Sequence, residues 1–415
     1  MTALGKRPRH DSAPDASSRL EPRASLLSLP DEVIDDIGRY LWQDRASLAS
    51  SNVQQKDLAA LSWSCRRLRR QFLPQVWQSI RLVIRWDALE TAEVIVGSNG
   101  QGEFVNSVIV ELDEAEEFDG IGDLLETVLS HCPSLKHLQL SAVRLQDDCA
   151  PAIVETVCGG LRRSMRRVET FQARIVRPVT LFAKAIEDLL GKSCCLTSLT
   201  LAGREDEELD EDEEGVILDP TAARALRERI GTLSHLEHLS VDLDVFRGLL
   251  RRMREVPQLI KVELHGITAE DRDVVNLCSL AAPSLESLTL LRGPMGRPRP
   301  ICLPRLQHLS FLDPQGNNPL GKLVHTFSPL RHYEPAYKYV NLERDVAAFH
   351  EAQEVKTLRR ISLDAGHLAA QTMGFPSLTD DEDDTEPISL DELCGPLKAW
   401  GDKNAVAVDL GGELE

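Results

Sequence analysis

Histidines, cysteines and clustered carboxylates are the side chains of this sequence able to ligate a metal or move a proton. His137, His238 and His308 hold matching places in three similar strings, LKHLQL, LEHLSV and LQHLSF. The three strings are not neighbours in their series. These imidazoles are therefore not expected to meet at one ion, and they read as ordinary surface histidines. The nine cysteines are Cys65, Cys132, Cys149, Cys158, Cys194, Cys195, Cys278, Cys302 and Cys394. They form no CxxC pair, and only Cys194 and Cys195 are adjacent. An odd number of thiols without a secretory signal points to reduced, mostly buried cysteines in the cytosol or nucleus. Nine of the ten residues from Glu205 to Glu214 are acidic. Such a run repels itself and is expected to be a solvated loop, or an attractor for a basic segment. Within it DEDEEGVI, Asp210 to Ile217, follows the opening places of a calcium-binding loop. The twelfth place, which needs a bidentate Glu, holds Thr221 behind Pro220, so specific calcium binding is not expected. No Walker loop, GxSxG, HExxH or GxGxxG occurs, and GSNGQG from Gly97 reads as a turn between strands. Nothing singles out an acid–base pair among the many carboxylates. These residues describe a binding protein with no active site, no metal and no cofactor.

Charge narrows the class of partner. The formal net charge is −19, but residues 1–90 carry 14 basic and 11 acidic side chains, leaving −22 for the remainder. A phosphate backbone would be repelled by that larger part, so nucleic acid is disfavoured and basic protein surfaces are favoured. No run of about 18 apolar residues suggests a membrane span. The start, MTALGKRPRHDSAPDASS, lacks the apolar core of a secretory signal, and its KRPR reads as a nuclear address or as a plain flexible tail. The length suits two or three domains or one elongated repeat array.

The elements that would position a binding surface begin near residue 26, after a tail of about 25 residues expected to be disordered. Ser28 and Asp31 resemble a capping box, Pro30 suits a first helical position, and Asp31 and Glu32 suit the first turn. Val33, Ile34, Ile37 and Leu41 form one apolar stripe at helical spacing. A second helix is expected from Asp57, with Leu58, Leu61, Cys65, Leu68 and Phe72 at steps of three or four and Pro74 as its stop. Ile80 to Ile84 reads as a strand. So small a bundle buries little apolar surface and should leave an apolar edge for docking. Arg66, Arg67, Arg69 and Arg70 make a basic cluster, a solvated helix face or a site for an acidic partner.

Leu29, Pro30, Glu32, Ile37, Leu41, Asp57, Leu58, Cys65, Arg66 and Trp77 stand in the order of an F-box, which this segment resembles. The resemblance covers about residues 26–80. It implies binding to the adaptor of an SCF-type (cullin-RING) ubiquitin ligase, and through it to a cullin. The implied contacts are Leu29, Pro30, the exposed sides of Val33 and Ile34, and Leu58, Leu61, Cys65 and Leu68. The segment departs from the family in two ways. Fifteen residues, Trp42 to Lys56, separate the first helix from Asp57, and Ser64 and Leu68 replace a larger apolar residue and an aromatic. The other reading of this segment is an N-terminal cap for a solenoid.

The centre of the chain repeats itself. LKHLQL (Leu135), LTSLTL (Leu196), LEHLSV (Leu236), LIKVEL (Leu259), LESLTL (Leu285), LQHLSF (Leu306) and LRRISL (Leu358) share one pattern. VNSVIV (Val105), VETFQA (Val168) and LRHYEP (Leu330) are weaker copies. Starts are 21 to 40 residues apart, and the pattern resembles an irregular leucine-rich repeat. The expected fold is α/β: a small N-terminal helical module, then a solenoid over 81–366 with a parallel β-ladder on its concave face. IGDLLETVLSHC, LFAKAIEDLLGK and TAARALRERIGTL are expected as helical return limbs. Positions one, four and six should point inward, and three and five outward. The outward set is His137, Gln139, Ser198, Thr200, His238, Ser240, Lys261, Glu263, Ser287, Thr289, His308, Ser310, Arg360 and Ser362, a mixed polar surface suited to a protein client. A compact α/β domain of unrelated elements is the competing reading.

Residues 204–215 would form an acidic loop, and 367–415 an acidic linker followed by a cap or a free tail. LDELCGPLKAW reads there as a helix and AVAVDL as a last strand. The whole suggests a monomeric substrate receptor of an SCF-type ligase, cytoplasmic or nuclear. The alternative is a repeat scaffold whose F-box has decayed.

Overall fold

In a computed structural model the described residues are 29–30, 32–34, 60–62, 64–84, 101–113, 120–144, 150–175, 179–203, 218–246, 248–266, 271–290, 301–311, 320, 324, 328–335, 342–364 and 390–411. The acidic runs, the tail before Leu29, the insertion from Trp42 to Lys56, and Ile37, Leu41, Asp57 and Leu58 lie outside them. Contacts divide the chain into two units, Met1–Val76 and Trp77–Glu415.

The first unit holds a helical turn at 32–34, another at 60–62, and helix α1 (Arg66–Trp77). The expected single helix from Asp57 to Pro74 is interrupted at Cys65. The Cys65 carbonyl accepts from the Arg69 amide at 2.9 Å, and its sulfur accepts from the Leu68 amide at 3.5 Å. Cys65 thus caps a fresh helix, as a short polar side chain would. That helix runs past Pro74 instead of stopping there. The proline falls close to the helix end, where the loss of its N–H removes one bond from a helix about to terminate.

The second unit is one parallel sheet of twelve strands in strict sequence order, β1 to β12. They are β1 (Ser79–Val83), β2 (Ser107–Asp113), β3 (His137–Arg144), β4 (Thr170–Ile175), β5 (Ser198–Ala202), β6 (His238–Asp242), β7 (Lys261–His265), β8 (Ser287–Leu290), β9 (His308–Phe311), β10 (His332–Glu334), β11 (Arg360–Asp364) and β12 (Ala407–Gly411). All ten repeat strings supply a strand, and one further strand extends the ladder at each end. Unrelated elements in a compact α/β domain would have shuffled this order. A strictly sequential, all-parallel ladder is that of a leucine-rich-repeat-type solenoid.

Return limbs are helical at α2 (Ile121–Ser130), α3 (Ala150–Leu161), α4 (Val179–Leu190), α5 (Pro220–Gly231), α6 (Asp271–Ala281), α7 (Leu342–Ala352) and α8 (Leu390–Asn404). Helix α5 starts at Asp219, whose carboxylate accepts from the Thr221 and Ala222 amides, with Pro220 at the first helical position. Between β6 and β7 the limb is a series of turns that bury Phe246, Leu249, Leu250 and Met253.

Position two of nine of the ten strings locks the register. The Asn106 carbonyl accepts from both the Lys136 and His137 amides, and Lys136, Glu169, Thr197, Glu237, Ile260, Glu286, Gln307 and Arg331 repeat this arrangement down the stack. Inward positions are sealed throughout; Leu138, Phe171, Leu199, Leu239, Val262, Leu288, Leu309, Tyr333 and Ile361 form one buried row. Parallel strands are usually apolar on both faces, because helices cover both. Here burial alternates along β4, β5, β6 and β7, so one face is core and the other meets solvent. Among the eight described cysteines, Cys132, Cys158, Cys278 and Cys394 are buried, while Cys194, Cys195 and Cys302 are exposed. Burial pushes the Cys158 and Cys278 thiols up to about 12.

Candidate functional site

The ladder register assembles the outward residues into two rows. One row runs Ser107, His137, Thr170, Ser198, His238, Lys261, Ser287, His308, His332, Arg360 and Ala407. The other runs Ile109, Gln139, Gln172, Thr200, Ser240, Glu263, Thr289, Ser310, Glu334, Ser362 and Asp409; the pairing of β10 with β11 is described for its first two residues only. All fourteen residues expected on this face lie in these rows. Thirteen keep at least part of their surface exposed. Ser310 does not: it is only 4% exposed and hydrogen-bonds the Glu334 carboxylate, so it supports a neighbour instead of meeting solvent.

The rows are polar except at Ile109 and Ala407, and both of their full cations are paired. Lys261 pairs with Glu263 at 2.7 Å, and Arg360 pairs across the rung with Asp409 at 2.6 Å. His137 and His238 stand apart from each other and from His308, as their spacing predicts. His308, however, has a neighbour absent from the expected set. His332 is its register partner, with ring centroids 4.3 Å apart in an edge-to-face arrangement. Glu334 reaches both rings: Oε2 lies 3.6 Å from His308 Nε2, and Oε1 lies 3.5 Å from His332 Nε2. The His308 imidazole beside it, opposed by burial and aided by Ser310, holds the Glu334 carboxyl at about 2. Burial, then the neighbouring His308, lowers His332 from the usual imidazole range. A signal for this group was present: laying LRHYEP on LQHLSF puts His332 over His308 and Glu334 over Ser310.

The first unit rearranges the expected docking residues. Ile34 is 0% and Leu68 2% exposed; with Phe72 they form the unit's own core, against which Leu29, Leu61, Cys65 and Val76 pack. Ile34 and Leu68 are therefore corrected from contact residues to core residues, since the bundle must bury its own stripe first. Pro30 is exposed, Val33 is 41% exposed, and Leu29, Leu61 and Cys65 are half-buried. Arg66, Arg69 and Arg70 are exposed, whereas Arg67 turns inward and donates to the Leu29 carbonyl at 2.8 Å. Leu58 lies outside the described residues.

No family model and no curated protein matches the chain. Among solved structures it is similar to a chain of the yeast Rad7–Elc1 complex, with 14% identity over 80% of this chain and 88% of that one. The TM-score of that match is 0.29, too slight a likeness to bear on function.

Proposed function

We propose that this chain is a non-catalytic substrate receptor of an SCF-type ubiquitin ligase, acting in the cytoplasm or nucleus. The first unit would hold the adaptor, and the outward rows of the ladder would hold a protein client. The observation that carries the reading is the pair of largely polar rows that run in register from β2 to β12, with only Ile109 and Ala407 apolar among them. Eleven or more adjacent strands presenting hydrogen-bonding side chains suit an extended polypeptide surface better than a small substrate. Ubiquitin transfer would then be a proximity effect, supplied by other subunits on a tethered client.

Adaptor contact would centre on Pro30 and Val33, flanked by Leu29, Leu61 and Cys65. Co-purification of the full chain with the adaptor tests this. Pro30→Ala/Val33→Asp changes only exposed side chains and is expected to abolish recovery of the adaptor while leaving the ladder's far-UV circular dichroism unchanged. Equal recovery with both versions overturns the docking assignment. A client should in turn accumulate when the receptor is removed.

A second reading, a repeat scaffold without a ligase role, is favoured by one observation. Ile34 and Leu68 are consumed by the unit's own core, which leaves Val33 as its one large, well-exposed apolar side chain among the described residues. Adaptor-free recovery of both versions would select it.

A further inference from the structure

We propose that His308, His332 and Glu334 form a binding site for a divalent transition-metal ion of the zinc class. Among the described residues this is the one group of three or more ligating side chains whose donor atoms gather, all lying within 4.8 Å of one another. Two imidazole nitrogens and one carboxylate oxygen are a ligand set that zinc-class ions take with three protein ligands, leaving a fourth position open. Arms of about 2.0–2.1 Å around a tetrahedral ion put its ligands roughly 3.3 Å apart. Glu334 already stands 3.5 and 3.6 Å from the two ring nitrogens.

The backbone under the set is fixed, so closing it would fall to side-chain rotation. His308 pairs with His332, and Glu334 with Ser310, across the β9–β10 ladder. Alternation along β10 puts His332 and Glu334 on the same face. The site is half-buried, shielded from bulk solvent yet reachable from it. His332 Nε2 lies 2.8 Å from the Ser362 hydroxyl, and ion binding would exchange that hydrogen bond for a metal bond. The nearest full cation across the next rung, Arg360, is neutralised by Asp409 at 2.6 Å. Three ligands on a rigid outward face would leave the open position on the same side as the polar rows. The inference does not depend on the receptor reading.

The test is titration of the chelator-stripped full-length chain with zinc ion alone, in competition with a chromophoric chelator. Cobalt(II) absorption serves as a second readout of coordination. One equivalent is expected in the native chain. Glu334→Gln should weaken it by about tenfold or more, and His308→Ala/His332→Ala should remove it. His238→Ala and Cys194→Ser/Cys195→Ser should each retain it, and the cobalt spectrum should lack sulfur charge-transfer bands. The altered residues point out of the core, and unchanged circular dichroism of the metal-free variants checks that they fold. Failure of the native chain to bind, persistence of the equivalent in the double histidine variant, or its loss with the cysteines would each overturn the proposal.

Discussion

The two units of this chain bury apolar side chains on very different scales. In the first, Ile34, Leu68 and Phe72 are the buried apolar residues among those described. In the second, one continuous cluster runs from Ile80 to Val406. The difference shows what repetition does. Every inner rung of the ladder is backed on two sides by equivalent rungs, so no single side chain is indispensable. The first unit has no such redundancy, and each member of its core closes a large fraction of it.

The largest effect should expose that contrast directly. Phe72→Ala removes the largest side chain of the small core and is expected to unfold the first unit while ladder amides stay protected from hydrogen exchange. Phe171→Ala, in the middle of the ladder, should lower stability by about 3–5 kcal/mol in a denaturant titration without dissolving the stack. If Phe72→Ala exposes both units to exchange together, they are one cooperative body and the contrast fails.

A smaller effect is expected where helices of neighbouring repeats meet. A Cβ on Gly160 in α3 would stand 2.5 Å from the Gly122 carbonyl oxygen of α2 and 3.0 Å from the Leu125 Cβ. Gly160→Val should push these helices apart at a cost of about 1–3 kcal/mol, measured by chemical denaturation, with exchange accelerated first in α2 and α3. Asp219→Ala, which removes the cap of α5, should cost roughly 1 kcal/mol by the same measurement.

The last effect appears only with acid. His350 in α7 packs edge-on to Trp400 of α8 at 5.3 Å and is faced by Lys356, Arg359 and Glu351. Burial, then the charges of Lys356 and Arg359, lower its pKa in the folded chain. The unfolded chain then binds the proton more readily, so the stabilising contribution is whole above about pH 6.5 and is lost as pH falls below it. Amide exchange in β12 should accelerate as pH falls through that range, after correction for the intrinsic rate. His350→Gln should remove the acceleration.

Much of the ladder was legible in the sequence because a strand has period two. Each LxxLxL string names its own inward and outward residues without reference to any other string. The weak copies VETFQA and LRHYEP still place Phe171 and Tyr333 in the buried row, because size and apolarity suffice there. The helical segment was less legible. A stripe such as Val33, Ile34, Ile37 and Leu41, or Leu61, Cys65 and Leu68, states that apolar residues share a face, but not whether that face meets its own bundle or another subunit. The chain spends Ile34 and Leu68 on itself and leaves Val33 outside.

The sequence alone determined which residues of each repeat face the core and that ten such repeats follow one another. Only the tertiary structure decided which lateral neighbours come within reach of one another, because in a parallel ladder those neighbours come from different repeats and their side chains meet only once hydrogen-bond register has set the strands side by side. That register sets His308 beside His332 and brings Glu334 between them, while His137 and His238, equally placed within their own strings, remain apart.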